Sequence, residues 1–208
     1  MIIALSLMHP PVVHAQVGVN IYLVSPQGQG VVAQSVSVQG TIDTMDGQYE
    51  IWFDDKRVVS NNSKGYNVNA NFTIPELPSG TYRITLRDVT KNVNATQNFT
   101  IIPAYCIKAI EPPAPVLLQQ GNFVVLNITL TGGQPNTQYY ANITVKLPTP
   151  LNTSYSKLIT LSSTNRGTAQ AQIIYPSADF QPSDSLTNYT GTYQVYFNET
   201  QQLATDQF

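Results

Sequence analysis

Gly80-Thr81-Tyr82-Arg83-Ile84-Thr85-Leu86 is written a second time towards the other end of the chain, as Gly191-Thr192-Tyr193-Gln194-Val195-Tyr196-Phe197. In each copy the apolar residues fall at every second position: Tyr82, Ile84 and Leu86, then Tyr193, Val195 and Phe197. That is the period of a strand with one face in a core and one in water. A further match follows each copy, Ala95-Thr96-Gln97-Asn98-Phe99 and Ala204-Thr205-Asp206-Gln207-Phe208. The register holds with a two-residue gap, so both halves of the chain are expected to finish in the same strand pair.

The same alternation recurs outward from the repeat. It is present at Val17, Val19, Ile21 and Leu23, at Tyr49, Ile51 and Phe53, at Val124, Leu126, Ile128 and Leu130, and at Ala141, Ile143, Val145 and Leu147. Asp46-Gly47, Ser79-Gly80, Gly132-Gly133 and Pro148-Thr149-Pro150 punctuate these runs with turn chemistry. No helical period lasts beyond two turns. Short strands at this spacing predict an all-β protein of two tandem Ig-like antiparallel β-sandwich domains. The expected division is a signal peptide at 1–15, a first sandwich at 16–102, a proline-rich linker at 103–115 and a second sandwich at 116–208. Glu111-Pro112-Pro113-Ala114-Pro115 supplies the stiffness of that linker.

The first half continues past Phe99 as Thr100-Ile101-Ile102, whereas Phe208 falls at the start of the corresponding strand. The second sandwich is therefore expected to lack its closing strand, which leaves backbone groups unpaired and a core open. Either these residues are a fragment, or a neighbouring molecule donates the strand.

Asn-x-Ser/Thr, the acceptor pattern for N-linked glycans, occurs nine times, at Asn61, Asn71, Asn94, Asn98, Asn127, Asn142, Asn152, Asn188 and Asn198. Composition alone predicts about three such triplets. Six have an apolar or aromatic middle residue, as in Asn71-Phe72-Thr73 and Asn127-Ile128-Thr129. A strand with Asn and Thr outside and apolar residues inside writes this triplet as a by-product of its alternation. On either reading the Asn points to solvent, where a glycan must sit.

Met1-Ile2-Ile3-Ala4-Leu5-Ser6-Leu7-Met8, followed by Val13-His14-Ala15, reads as a secretory signal peptide cut after Ala15, although it has no basic start. No later apolar run reaches the length of about eighteen residues that spans a bilayer. The single cysteine, Cys106, has no partner for an intramolecular disulfide. Net charge is −2, and no basic patch suits nucleic acid or anionic lipid. Charged residues make up 11% of the chain, against about 25% in ordinary soluble proteins. Such a surface needs another solvating layer, which Asn, Gln, Ser, Thr and glycans would supply.

The string Ala70-Asn71-Phe72-Thr73-Ile74-Pro75-Glu76-Leu77-Pro78-Ser79-Gly80-Thr81-Tyr82, ending in Asn98-Phe99-Thr100-Ile101, resembles the Ig-like modules of archaeal cell-surface (S-layer-like) glycoproteins. The Tyr-, Asn- and Thr-rich, charge-poor composition is similar to surface-layer and surface-filament proteins of those organisms. The resemblance covers both halves and implies an extracellular setting and β-sandwich modules. It carries no catalytic residues.

Chemistry is mostly excluded. His9 and His14 both fall in the signal peptide, so the mature chain has no histidine for Ser-His-Asp or Cys-His catalysis or for most zinc sites. Cys106 has no base beside it in sequence, and no glycine-rich phosphate loop precedes a helix. No enzyme activity and no cofactor are expected. Asp43, Asp46, Glu50, Asp54 and Asp55 could offer oxygen ligands to calcium, but their spacing matches no known loop. Asp54-Asp55-Lys56 reads more simply as a solvated turn, so no metal site is assigned. By alternation Trp52 and Tyr196 occupy matching solvent-facing positions on equivalent strands, beside Glu50 and Asn198. They are interface candidates or sugar platforms, or else residues covered by a neighbouring domain or loop.

The expected function is a structural or spacer module of an exported, N-glycosylated, archaeal-type cell-surface protein. Its partners would be other cell-surface proteins or copies of itself. A second class is a filament or adhesin subunit assembling by strand donation, with residues 17–23 as donor. A third is a carbohydrate- or peptide-binding accessory module of a larger extracellular hydrolase.

Overall fold

The computed structural model describes residues 17–112, 116–182 and 187–197, and the backbone of residues 206–207. The expected signal peptide and Asn198 lie outside the described residues. Alternating sequence becomes alternating burial: Val124-Val125-Leu126-Asn127-Ile128-Thr129-Leu130-Thr131 places its even-numbered apolar residues inside and the others at the surface.

The first unit contains β1 (Asn20–Ser25), β2 (Gln29–Gly30), β3 (Ser35–Thr41), β4 (Gln48–Phe53), β5 (Lys56–Asn62), β6 (Asn67–Thr73), β7 (Gly80–Asp88) and β8 (Val93–Ile101). They form two sheets, ordered β1-β3-β6 and β2-β8-β7-β4-β5. Every pairing is antiparallel except the short parallel one between β2 and β8. The second unit contains β9 (Ala104–Glu111), β10 (Val124–Thr131), β11 (Gln138–Lys146), β12 (Ser154–Ser162), β13 (Ala169–Tyr175), β14 (Gln194–Phe197) and β15 (Asp206–Gln207). Its sheets run β13-β10-β9 and β12-β11-β14-β15. Apart from β2, which has no counterpart among the described strands, this is the order of the first unit, and both are immunoglobulin-like sandwiches.

The repeated heptad marks β7 and β14, and its tyrosine does the same work twice. Tyr82 Oη donates to Pro78 O at 2.9 Å, and Tyr193 Oη donates to Tyr189 O at 3.0 Å. This tyrosine corner pins the turn that crosses from one sheet to the other. The repeat register also holds in space. Arg83 faces Asn98 and Ile84 faces Gln97, while Gln194 faces Gln207 and Val195 faces Asp206. Among the described residues β8 pairs with β7 over nine residues, and β15 with β14 over two.

Each sandwich encloses its own core. In the first, Phe53 packs 5.5 to 6.0 Å from Tyr82, Phe72 and Phe99, above Ile51, Ile84 and Leu86. In the second, Tyr175 meets Phe180 edge-on at 5.0 Å, among Leu126, Ile143 and Val195.

The stretch 103–115, read from the sequence as linker, is mostly not one. Ala104–Glu111 is strand β9, hydrogen-bonded along β10 with Ile107 and Ala109 in the core. Tyr105, Ile107 and Ala109 alternate at strand period ahead of the prolines that follow Glu111. Only Ile102 and Pro103 separate β8 from β9. Ser79 N donates to Gly133 O at 3.0 Å across this junction, and Gln134 Nε2 donates to Ser79 Oγ at 2.7 Å. Gly132, at φ 63°, lets the backbones close in: a Cβ there would lie 2.9 Å from Ile102 O.

Candidate functional site

The described surface is built of sheet faces. On the outer face of the five-stranded sheet, Gln48, Glu50 and Trp52 point away from the core because Tyr49, Ile51 and Phe53 point into it. Glu50 is 8% exposed and is held by three side chains. Arg57 Nη1 donates to its Oε1 at 2.8 Å, Trp52 Nε1 donates to its Oε2 at 3.0 Å, and Arg87 Nη1 lies 3.9 Å from Oε2. The Arg57 hydrogen bond above all, with help from Trp52 and the two arginine charges, outweighs burial and keeps the carboxyl below its ordinary range. Trp52 is thus half-buried and clamped to its own sheet, with Arg83 exposed on the same face.

Tyr196 is also half-buried, but its strand is not the equivalent of the one that carries Trp52. Trp52 lies on β4 opposite Thr85 of β7, while Tyr196 lies on β14 opposite Thr144 of β11. Since β14 corresponds to β7 and β11 to β4, each aromatic, in its own sandwich, takes the place that the threonine takes in the other. Alternation identified the face and could not identify the strand. Thr144 is 2% exposed, and its hydroxyl lies 2.7 Å from Ser156 Oγ.

The acidic residues near the β4–β5 hairpin do not converge. Asp43 Oδ1 accepts from Gly18 N at 2.6 Å, Asp46 Oδ1 accepts from Gly65 N at 2.7 Å, and Glu50 is taken by Arg57 and Trp52. Among the described residues no three His, Cys, Asp or Glu side chains gather as a metal site. Asp54, at φ 54°, and Asp55 form the turn itself. The sequence grouping missed Asp88, a fully buried carboxylate. Its Oδ1 accepts from Thr44 Oγ1 at 3.0 Å, Thr90 N at 3.0 Å and Lys91 N at 3.1 Å. Burial pushes this carboxyl up, and the hydrogen bonds, Lys91 foremost, outweigh it and leave it below the ordinary value. The signal was available as Asp88-Val89-Thr90-Lys91, an Asx-turn sequence.

Six candidate glycan acceptors, Asn61, Asn71, Asn94, Asn98, Asn152 and Asn188, are exposed. Asn127 and Asn142 are half-buried because β10 and β11 are central strands with neighbours on both sides. Asn127 Oδ1 also accepts from Gln170 Nε2 at 2.7 Å. Cys106 is exposed on β9, opposite Thr129. Lys157 Nζ is 2.7 Å from Asp179 Oδ2, and Gln194 lies opposite Lys146.

No family model matches the chain, and no curated protein matches it. Among solved structures, the chain is similar to the human OSCAR ligand-binding domain at 10% identity and a TM-score of 0.29, covering 91% of this chain and 94% of that one. It is also similar to fibronectin(III)-like modules of Clostridium thermocellum CbhA, at 10% identity and a TM-score of 0.26, covering 90% and 91%. The BSP domain of a biofilm associated protein matches at 14% identity and a TM-score of 0.28, over 86% of this chain and 27% of that one. At such TM-scores these likenesses carry no weight for the fold, which rests on strand order, register and the paired tyrosine corners.

Proposed function

We propose that this chain is a structural module of an exported cell-surface protein, two Ig-like sandwiches that hold distance and carry N-glycans. The observation that carries this reading is the placement of the acceptors: of the eight within the described residues, none is buried. In a chain with 11% charged residues, glycans at these positions would form the solvating layer. The two-residue junction braced by Ser79, Gly133 and Gln134 suits a spacer, since it resists bending where a long linker would not. An archaeal-type surface coat is the setting that the sequence resemblance suggests.

Strand donation from residues 17–23 finds less support. Ile21 and Leu23 of β1 are buried in their own sandwich, and β1 pairs along β3. Withdrawing β1 would open the first core.

Glycopeptide mass spectrometry on protein taken from its native host tests the reading. Hexose-containing additions at several of Asn61, Asn71, Asn94, Asn98, Asn152 and Asn188 are expected, with a mature N-terminus at Gln16. Unmodified peptides at all six sites would overturn it.

A further inference from the structure

The outer face of the five-stranded sheet carries more than the Glu50 cluster. β8 adds Asn94, Thr96 and Asn98 to it, all exposed. Their partners across on β7 are Arg87, Thr85 and Arg83. One strand further, Trp52 of β4 faces Thr85, and Arg57 of β5 faces Trp52. Two glycan acceptors by pattern, three arginines and the chain's one tryptophan thus share a single face.

The two acceptors are differently placed. Asn94 faces Arg87, which is engaged: its Nη2 donates to Asn92 Oδ1 at 2.7 Å, and its Nη1 lies 3.9 Å from Glu50 Oε2. Asn98 faces Arg83, which is exposed, and among the described residues no side chain pairs with its guanidinium. Asp54, on the other flank, meets Arg83 through the backbone, its N donating to Arg83 O at 2.7 Å. Trp52 lies two residues along and two strands across from Asn98. That is about 12 Å between backbones, the reach of about two or three linked sugars. The indole is held in place, since Nε1 donates to Glu50 Oε2 at 3.0 Å and Arg57 holds Oε1 of the same carboxylate at 2.8 Å. Its exposed part is a fixed patch of apolar ring on a polar face.

We propose that the N-glycan of Asn98 folds back across this face, with a sugar ring on the indole of Trp52 and sugar hydroxyls accepting from the Arg83 guanidinium. The proposal rests on the glycan reading above and states where one glycan lies. A pyranose ring has an apolar C–H face and a rim of hydroxyls. An aromatic plate suits the first, and the N–H donors of an arginine fork suit the second. The two groups are set apart along the line from the acceptor, Arg83 first and Trp52 beyond it, with the short side chains of Thr85 and Thr96 alongside. Attachment at Asn98 supplies an effective concentration that a free sugar lacks, so contacts too weak to capture a ligand from solution are enough here. Trp52 is already fixed by Glu50, which lowers the cost of ordering the contact.

The test uses glycosylated protein from its native host, with Trp52 as the sole indole reporter. Asn98→Gln removes this acceptor alone, and acrylamide quenching of the indole is expected to rise by about twofold as its cover is lost. Asn71→Gln removes an acceptor from β6, in the other sheet, and should leave quenching unchanged. Arg83→Gln should raise quenching in the glycosylated protein and add nothing in the Asn98→Gln background, as for two groups acting in one contact. Equal quenching of the wild type and Asn98→Gln, with Asn98 glycosylated in the wild type, would overturn the proposal and leave the glycan reading standing. So would glycopeptides in which Asn98 is bare while other acceptors carry sugar. Bare acceptors throughout would overturn both.

Discussion

At one matched position on the two sandwiches the outer face is finished in different ways. In the first, Trp52 of β4 faces Thr85, and beside them Glu50 faces Arg87 within an ion cluster. In the second, the threonine is on β11 and the aromatic on β14: Thr144 faces Tyr196. The counterpart of Glu50 is Asn142, and the repeat places Asn198 at the counterpart of Arg87. Both are glycan acceptors by pattern. Three of the four arginines lie in the first unit, all on or beside this face. The fold constrains the inward residues and the tyrosine corner and leaves the outer face free. One unit solvates this position with charge, and the other carries the acceptor pattern there.

If each sandwich stands on its own core, the largest effect will come from emptying one of them. Phe99→Ala removes a fully buried ring packed on Phe53 and should cost about 3–5 kcal/mol. Calorimetry should show the first unit's transition falling by on the order of 15 °C while the second stays in place. A joint fall of both transitions would show that the junction through Ser79 and Gly133 couples them into one cooperative body.

A smaller effect sharpens the likeness between the units. Tyr82→Phe deletes the one hydrogen bond to Pro78 O, Tyr193→Phe deletes two, to Tyr189 O and from Tyr189 N, and both leave the ring in place. Each should cost about 1 kcal/mol, seen as a shift of a few degrees confined to its own unit. A much lower cost for Tyr193→Phe would mean that the second corner is no strut, and would break the likeness there.

The inward half of this molecule was legible because alternation is a strong constraint. The repeated heptad gave the strand and its face, and the following pentapeptide gave its partner and register to the residue. Strand identity was harder to read. Trp52 and Tyr196 share the outward period, and nothing in period two says which strand of a sheet carries a residue. The proline run at 112–115 outweighed a weaker signal, because Ala104-Tyr105-Cys106-Ile107-Lys108-Ala109 alternates with small residues where β10 has leucine and isoleucine. Asp88 escaped attention because its partners are backbone N–H groups and the distant Thr44, which sequence spacing does not reveal.

The smallest effect separates the units by charge. Glu50 and Asp88 both lie in the first sandwich, and both carboxyls sit below their ordinary values. In the unfolded chain they take up protons near pH 4, before the folded form does. Their stabilising contribution is therefore complete at neutral pH. It declines as pH falls below about 5 and is lost as pH passes down through the folded values. The first sandwich should loosen in acid before the second. Trp52, the only tryptophan, reports on it directly because its indole donates to Glu50. Its emission should change as pH falls through this range, and Glu50→Gln should remove most of that change by giving up near neutrality the stability that the wild type loses in acid. Equal acid sensitivity in the two units, read by amide exchange, would break the contrast: charge on the outer face would then be decoration, with both sandwiches resting on their cores alone.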